Sequence, residues 1–261
     1  MDYLMKFENK NSARQTAILA LIKQQGRVQV EYLADTFSTT PQTIRKDLQV
    51  LADANKVMRF HGGASLLTSL EYTEFEIRRK IGVKEKQAIG KAVANIIPNN
   101  IALMINTGTT TEAFAIHLKH HTGLKIVPDN VNLANDLRLF EGLEIMVPAG
   151  VVRRSDGAIL GETAVDFIRM FRADIGVIGA AAVSSDGSLL DYDLREANVA
   201  RAIIENSQHV ILAADSSKFI SRGPVQIGHL SQIDTLVTNQ CDNLAIVDLC
   251  QEHQVNLIQA S

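Results

Sequence analysis

Two stretches of the sequence bring together side chains suited to specific chemistry. In the first, Gln42, Arg45, Lys46 and Gln49 recur at i, i+3, i+4 and i+7, so a helix would place them on one face. Glutamine and arginine make bidentate hydrogen bonds to adenine and guanine edges, which is the chemistry of reading a DNA major groove. Thr43, early in the stretch, can reach a phosphate or a thymine methyl, and Thr40 joins the same DNA-facing set. Arg59 and His61 follow, suited to the phosphate backbone or the minor groove. In the second stretch, Asn106-Thr107-Gly108-Thr109-Thr110 offers hydroxyls and free backbone N–H groups for an anion, although an ordinary helix-capping turn has the same composition. Asp129-Asn130, Gly150, Arg153 and Lys218 recur at comparable places further along. A lysine just past a buried strand can pair with a phosphate or be a plain surface lysine. Four polar features at successive strand ends favour a phosphorylated small molecule.

Other groupings point to less. His117, His120 and His121 have metal-compatible helical spacing, but no cysteine or carboxylate joins them, so a solvated helix end is expected and no metal. Cys241 and Cys250 stand without a second pair and signal neither a disulfide framework nor zinc. No paired carboxylates and no Ser-His-Asp arrangement emerge. An isomerase reading has only Asp215 and Lys218 to offer, with Asn106 standing where an acid would be wanted. No catalytic residue and no cofactor are expected.

The elements that must hold the first set in place are legible. A helix over 12–25, capped by Ser12 and ended by Gly26, precedes a short helix with Val30, Leu33, Ala34 and Phe37 on one face. Ser38-Thr39-Thr40 breaks the pattern, and Pro41 suits the first turn of a third helix, where its missing N–H costs nothing. Ile44, Leu48 and Leu51 face inward there, opposite the polar face. Val57–Ala64 reads as strand, glycine turn and strand, so 12–66 is expected to be a winged helix-turn-helix. A three-helix bundle with a merely solvated polar face is the competing picture. Residues 67–83, containing Arg78-Arg79-Lys80, read as a linker. From Lys84 to the end, apolar strands alternate with amphipathic helices, which implies a mainly parallel sheet covered on both faces, with ligands at the carboxyl ends of its strands.

Charge sharpens this division. The 261 residues carry a net charge of −3, which on its face argues against nucleic acid. Yet residues 10–64 carry +4 and residues 65–261 carry −6, the pattern of a DNA-binding head on an acidic body. An apolar share of 46% supports a real core and excludes disorder and disulfide-rich scaffolds. With no long apolar run and no signal-peptide core, a cytoplasmic protein with no membrane partner is expected.

Ser38-Thr39-Thr40-Pro41-Gln42-Thr43-Ile44-Arg45-Lys46-Asp47-Leu48, followed by Arg59-Phe60-His61-Gly62-Gly63-Ala64, resembles the DNA-binding signature of the DeoR family of bacterial sugar-metabolism regulators. Asn106–Thr110, Arg153, Asp186-Gly187-Ser188 and Asp215-Ser216-Ser217-Lys218-Phe219 resemble the effector domain of the same family, which is similar in fold to ribose-5-phosphate isomerase. The resemblance runs from about Ala13 to Ala260. It implies an α/β fold with an N-terminal winged helix-turn-helix over 12–66 and a mainly parallel α/β effector domain over 84–261. It further implies a repressor of carbohydrate or glycerol catabolism, released from its double-stranded DNA operator by a phosphorylated sugar or glycerol 3-phosphate. A homodimer or homotetramer follows from twofold operators. Some strings, such as Ile145-Met146-Val147-Pro148, look more like a sulfosugar-responsive member. The family has Asp at the place of Asn106, Thr-Asn-Asn or Thr-Asn-Ser at that of Pro128-Asp129-Asn130, and Gly-Gly at that of Ala149-Gly150. Asp129 would repel a phosphate it touched but could accept hydrogen bonds from sugar hydroxyls. Asp47 is expected to be a structural partner inside the head.

Overall fold

The computed structural model describes residues 13–22, 27–54, 56–60, 62–66, 75 and 78–260. Ser12, Gly26 and His61 lie outside them. The chain divides into two compact units between Glu74 and Phe75.

The first unit opens with a helix over 13–22 (α1). Strand β1 (Arg27–Gln29) runs into α2 (Val30–Thr36), and α3 spans Pro41–Asp53. Thr40 caps α3: its Oγ1 accepts from the Thr43 N–H at 3.2 Å, and Pro41 fills the first position. Ile44, Leu48 and Leu51 then pack on Ile18, Ile22, Leu33 and Val57, all at most 4% exposed. Asp47 shares that inner side; it accepts from Arg14 Nε at 2.6 Å and Gln15 Nε2 at 3.0 Å, so α1 is pinned to α3 by charge as well as by burial. Strands β2 (Val57–Phe60) and β3 (Gly63–Leu66) make the wing, turning at Gly62, whose φ of +86° suits glycine. The expected two-stranded wing is a three-stranded antiparallel sheet in the order β1-β3-β2. Three residues abutting a helix are too few to show strand periodicity, which is why β1 escapes a sequence reading.

The second unit begins at Phe75, inside the segment read as linker; Phe75 is buried. Helix α4 (Val83–Ile96) leads to β4 (Ala102–Ile105), α5 (Thr109–Ala115), β5 (Leu124–Pro128), α6 (Val131–Leu137) and β6 (Leu143–Ile145). A hairpin of β7 (Val151–Val152) and β8 (Ile159–Leu160) precedes α7 (Glu162–Arg169) and β9 (Ala173–Ile178). Then come β10 (Ala182–Val183), β11 (Ser188–Asp191), α8 (Leu194–Glu205), β12 (Ser207–Ala213), β13 (Val225–His229), β14 (Thr235–Thr238), α9 (Leu244–Glu252) and β15 (Asn256–Gln259).

Seven strands form one wholly parallel sheet, β15-β14-β12-β9-β4-β5-β6. Alternate residues feed two cores: Leu103, Ile105, Val177 and Ile211 face one layer, Met104, Ile178, Leu212 and Leu236 the other. On the first layer α4 sits directly on α5, because Gly90 has no Cβ; one added there would lie 2.6 Å from the Ala113 carbonyl oxygen. A second, antiparallel sheet, β10-β11-β13, and the β7-β8 hairpin complete the unit; two-residue strands carry no readable alternation. Among the described residues no helix is long and apolar enough to cross a membrane.

Candidate functional site

In the head, the polar side of α3 stands out from the core. Gln42, Arg45, Lys46 and Gln49 are exposed, as are Thr40 and, on β2, Arg59; Thr43 is half-buried, its hydroxyl 2.9 Å from that of Thr40. Their own-chain contacts are loose or exchangeable. Arg45 lies 3.8 Å from Glu31, Gln49 donates to Asp53 at 2.7 Å, and Arg59 donates to Gln49. Such side chains can trade partners for base edges and phosphates with little desolvation cost.

In the second unit the connection order changes direction between β4 and β9: from β4 the chain goes to β5 on one side, and returns later on the other through β9. A crevice opens at such a point beyond the carboxyl ends of the strands. Asn106, buried just after β4, holds the two ends together. Its Oδ1 accepts from the Gly179 N–H at 2.8 Å, and its own N–H donates to the Val177 carbonyl at 3.1 Å. Thr111 Oγ1 donates back to the Asn106 carbonyl at 2.7 Å, fixing the loop. The cleft is lined by Thr107–Thr111, Gly179–Ala181, Ala213, Asp191, Glu196, Lys218 and Arg78. Helix α5 has only seven residues, so its dipole is a small part of the field. The cations supply more. Lys218 stands on a turn after β12 whose first residue, Asp215, caps it by accepting from the Ser217 N–H at 3.1 Å. Burial pushes the Lys218 ammonium below its ordinary value; Asp215 opposes that shift and Arg78 adds to it. A desolvated ammonium beside another cation is a site that gains by taking an anion.

Acids line the same cleft. Glu196 is pushed up to about 7, first by burial and then by Asp191, with Arg153 pulling against both. Burial also raises Asp191, which accepts from the Tyr192 N–H at 2.5 Å. A carboxyl such as that of Glu196, close to losing its proton at neutral pH, suits hydroxyl groups that can donate or accept.

The residues expected around the ligand thus divide. Thr107, Gly108, Thr109, Thr110 and Lys218 line the cleft with Asn106 behind them. Arg153 does not face it as a free cation: Nε donates to Asp156 at 2.8 Å, Nη2 to Glu196 at 2.6 Å, and Nη1 lies 3.4 Å from Asp193. Burial disfavours its charge, but those carboxylates outweigh burial and raise its pKa. Asn130 spends its side chain on structure, capping α6 through Oδ1 and donating Nδ2 to Thr107 Oγ1 and the Asp156 carbonyl, both at 2.9 Å. Gly150 packs against β8, where a Cβ would come 2.8 Å from the Leu160 carbonyl oxygen. Asp129 is buried, and neither of its oxygens has a hydrogen-bond partner among the described residues. Burial, then Glu196, drives its carboxyl well above the usual range.

Sequence reasoning missed Arg78, Asp191 and Glu196. The signal for the acids was present: Asp191, Asp193 and Glu196 cluster at a strand-to-helix junction, as the other site residues do. Of the basic run read as solvated linker, Arg78 reaches the cleft, whereas Arg79 pairs with Glu112 at 3.3 Å. Of the three histidines His120 is exposed, as a solvated helix end requires, whereas His117 Nε2 is 3.1 Å from Gln87 Oε1 and His121 Nε2 is 3.1 Å from the Ile97 carbonyl.

A DeoR-like helix-turn-helix model matches residues 14–70, and the DeoR C-terminal sensor domain model matches residues 82–240. The chain belongs to the DeoR family. Among DeoR-family relatives, the glycerol-3-phosphate regulon repressor of Escherichia coli K12 is 42% identical over 95% of this chain and 98% of its own. The protein of the same name in Haemophilus influenzae is 41% identical over 95% and 97%. The HTH-type transcriptional repressor CsqR of Escherichia coli K12 is 33% identical over 96% of each. Solved structures with likeness include ribose 5-phosphate isomerase A from Neisseria gonorrhoeae, at 16% identity and TM-score 0.39 over 52% of this chain and 53% of that one. A translation initiation factor eIF-2B from Pyrococcus horikoshii, at 16% identity, reaches TM-score 0.44 over 87% and 86%. The three relatives named above are repressors, and with the helix-turn-helix match they support a DNA-binding regulator rather than an enzyme.

Proposed function

We propose that the chain represses genes of glycerol or sugar-phosphate use, binding operator DNA through α3 and the wing and letting go when a phosphorylated polyol or sugar enters the cleft. The observation that carries this reading is the cleft itself: Lys218 and Arg78 line it together with the hydroxyl-rich loop Thr107–Thr111 and the acids Asp191 and Glu196. The cations suit a phosphate, and the carboxyls suit the hydroxyls of a small polyol. Glycerol 3-phosphate is the first candidate, in line with the name of the 42% identical relative. Gln42, Thr43, Arg45, Lys46 and Gln49, together with Thr40, Arg59 and His61, are assigned to DNA. The cytoplasm is the setting, and paired heads on a twofold operator make the working form a homodimer or homotetramer. The ligand shifts the equilibrium only by the difference between its affinities for the operator-bound and released forms.

Gel shifts on a duplex enriched from random DNA by the chain test this. Glycerol 3-phosphate is expected to release the duplex and glycerol to leave it bound. Lys218→Ala is expected to move the dose-response about tenfold, the loss of one charge-assisted contact. Retained DNA binding with no response to glycerol 3-phosphate, hexose phosphates or a sulfosugar phosphate would reject the sensor.

A further inference from the structure

We propose that Arg78 couples the ligand to the DNA-binding head: its guanidinium takes the ligand's anionic group in the cleft, while its backbone belongs to the segment through which the chain arrives from the head. This rests on the cleft being the ligand site and adds how occupancy leaves it.

Arg78 lies four residues past the division between the units. Its side chain lines the cleft with Lys218, and its charge acts on both Lys218 and Asp191. Among the described residues no carboxylate forms an ion pair with it; its guanidinium lies 5.8 Å over the ring of Phe75, which is itself buried. The adjacent Arg79, engaged with Glu112, is the natural control. Two cations facing one cleft repel each other until an anion enters, so the ligand's phosphate changes the force on this residue more than on any apolar wall.

The backbone at the same position is held by a buried lysine. Lys86 Nζ donates to the carbonyl of Arg78 and, at 2.8 Å, to that of Ile81. Lys86 lies on α4, one turn before Gly90, where α4 seats on the backbone of α5, and α5 opens the cleft loop. Segment 78–81, α4, α5 and the loop are therefore one contiguous packed set. Asp215 and Lys218 also act on the Lys86 charge. A ligand that pulls Arg78 toward Lys218 bears directly on how the connecting segment is anchored, and no separate relay is needed.

The test uses the full chain with glycerol 3-phosphate as the probe, reading probe affinity by calorimetry and release of the enriched duplex by gel shift, with the melting temperature as folding check. Arg78→Gln is expected to weaken probe binding about 10- to 100-fold, Arg78→Lys to restore part of it, and Arg79→Gln to change it less than about twofold. Lys86→Met is expected to leave probe affinity within about threefold yet cut the fraction of duplex released at saturating probe. Arg78→Gln binding the probe as the unaltered chain does would overturn the proposal, as would Lys86→Met releasing DNA in step with occupancy. Failure of the unaltered chain to bind any phosphate ester overturns the sensor reading and this inference with it, and shows before any substitution is made.

Discussion

The polar side of α3 and the cleft at the β4–β9 crevice, to which our proposal assigns DNA and ligand, are built in opposite ways. On α3 the side chains are exposed, separated from the core by a full helix diameter, and engaged only in exchangeable contacts such as Arg45 to Glu31 at 3.8 Å. In the cleft Thr107, Thr110, Thr111 and Asp191 are buried and Arg78, Glu196 and Lys218 half-buried, and the charges act on one another: burial pushes the Lys218 ammonium down, and burial with Asp191 pushes Glu196 up to about 7. A surface that must scan a polyanion benefits from charges already in water. A pocket that must register one small anion benefits from charges whose balance is easily upset. Ionic strength should therefore govern the first and pH the second.

Salt is the broadest way to break that contrast. Raising it from about 50 to 200 mM is expected to lower duplex affinity on the order of 10²- to 10³-fold, and glycerol 3-phosphate affinity by far less; equal slopes by fluorescence anisotropy and calorimetry would erase the distinction. Asp47→Ala should destabilise the head by about 1.5–3 kcal/mol, since it removes a buried carboxylate that accepts from Arg14 and Gln15 of α1, and urea unfolding should show the loss in the head's transition alone. Arg45→Ala is expected to reduce specific duplex binding about 5- to 150-fold with probe affinity unmoved, again by gel shift and calorimetry. The pH effect is the smallest. Glu196 and Asp129 hold protons more tightly folded than unfolded, so the sensor unit loses stability as pH rises from about 4.5 through about 7. A fall of about 1–3 kcal/mol is expected from pH 5 to 8, flattened by Glu196→Gln. Melting curves that keep their slope in that variant would remove Glu196 from the account.

What could be read from the sequence follows from how local each feature is. Thr40-Pro41 and the Ile44, Leu48, Leu51 spacing mark α3 within a dozen residues, and Asn106–Thr110 marks the cleft loop within five. Pairing at a distance left no such mark. Arg153 looks like an anion ligand until folding brings Asp193 and Glu196 to it from some forty residues away. Arg78 looks like solvated linker because nothing in its own segment shows Lys218. Strands β7, β8 and β10 have two residues each, too few to alternate, and β1 is hidden by the helix it enters.

The wholly parallel sheet also sets an order in time. Its central pair joins Leu103 to Ile175 and Met104 to Gly176, partners more than seventy residues apart, and the next strand outward, β12, ends at Ala213. The head's sheet joins Arg27 to Ser65 and its core lies within a far shorter run of chain. Long-range parallel pairing is slow, and synthesis delivers the N-terminus first. During each round of translation the surface assigned to DNA can therefore be complete while the strand that closes the proposed ligand cleft is still unmade, so on that assignment a newborn chain passes through a stage at which it has a grip but no trigger.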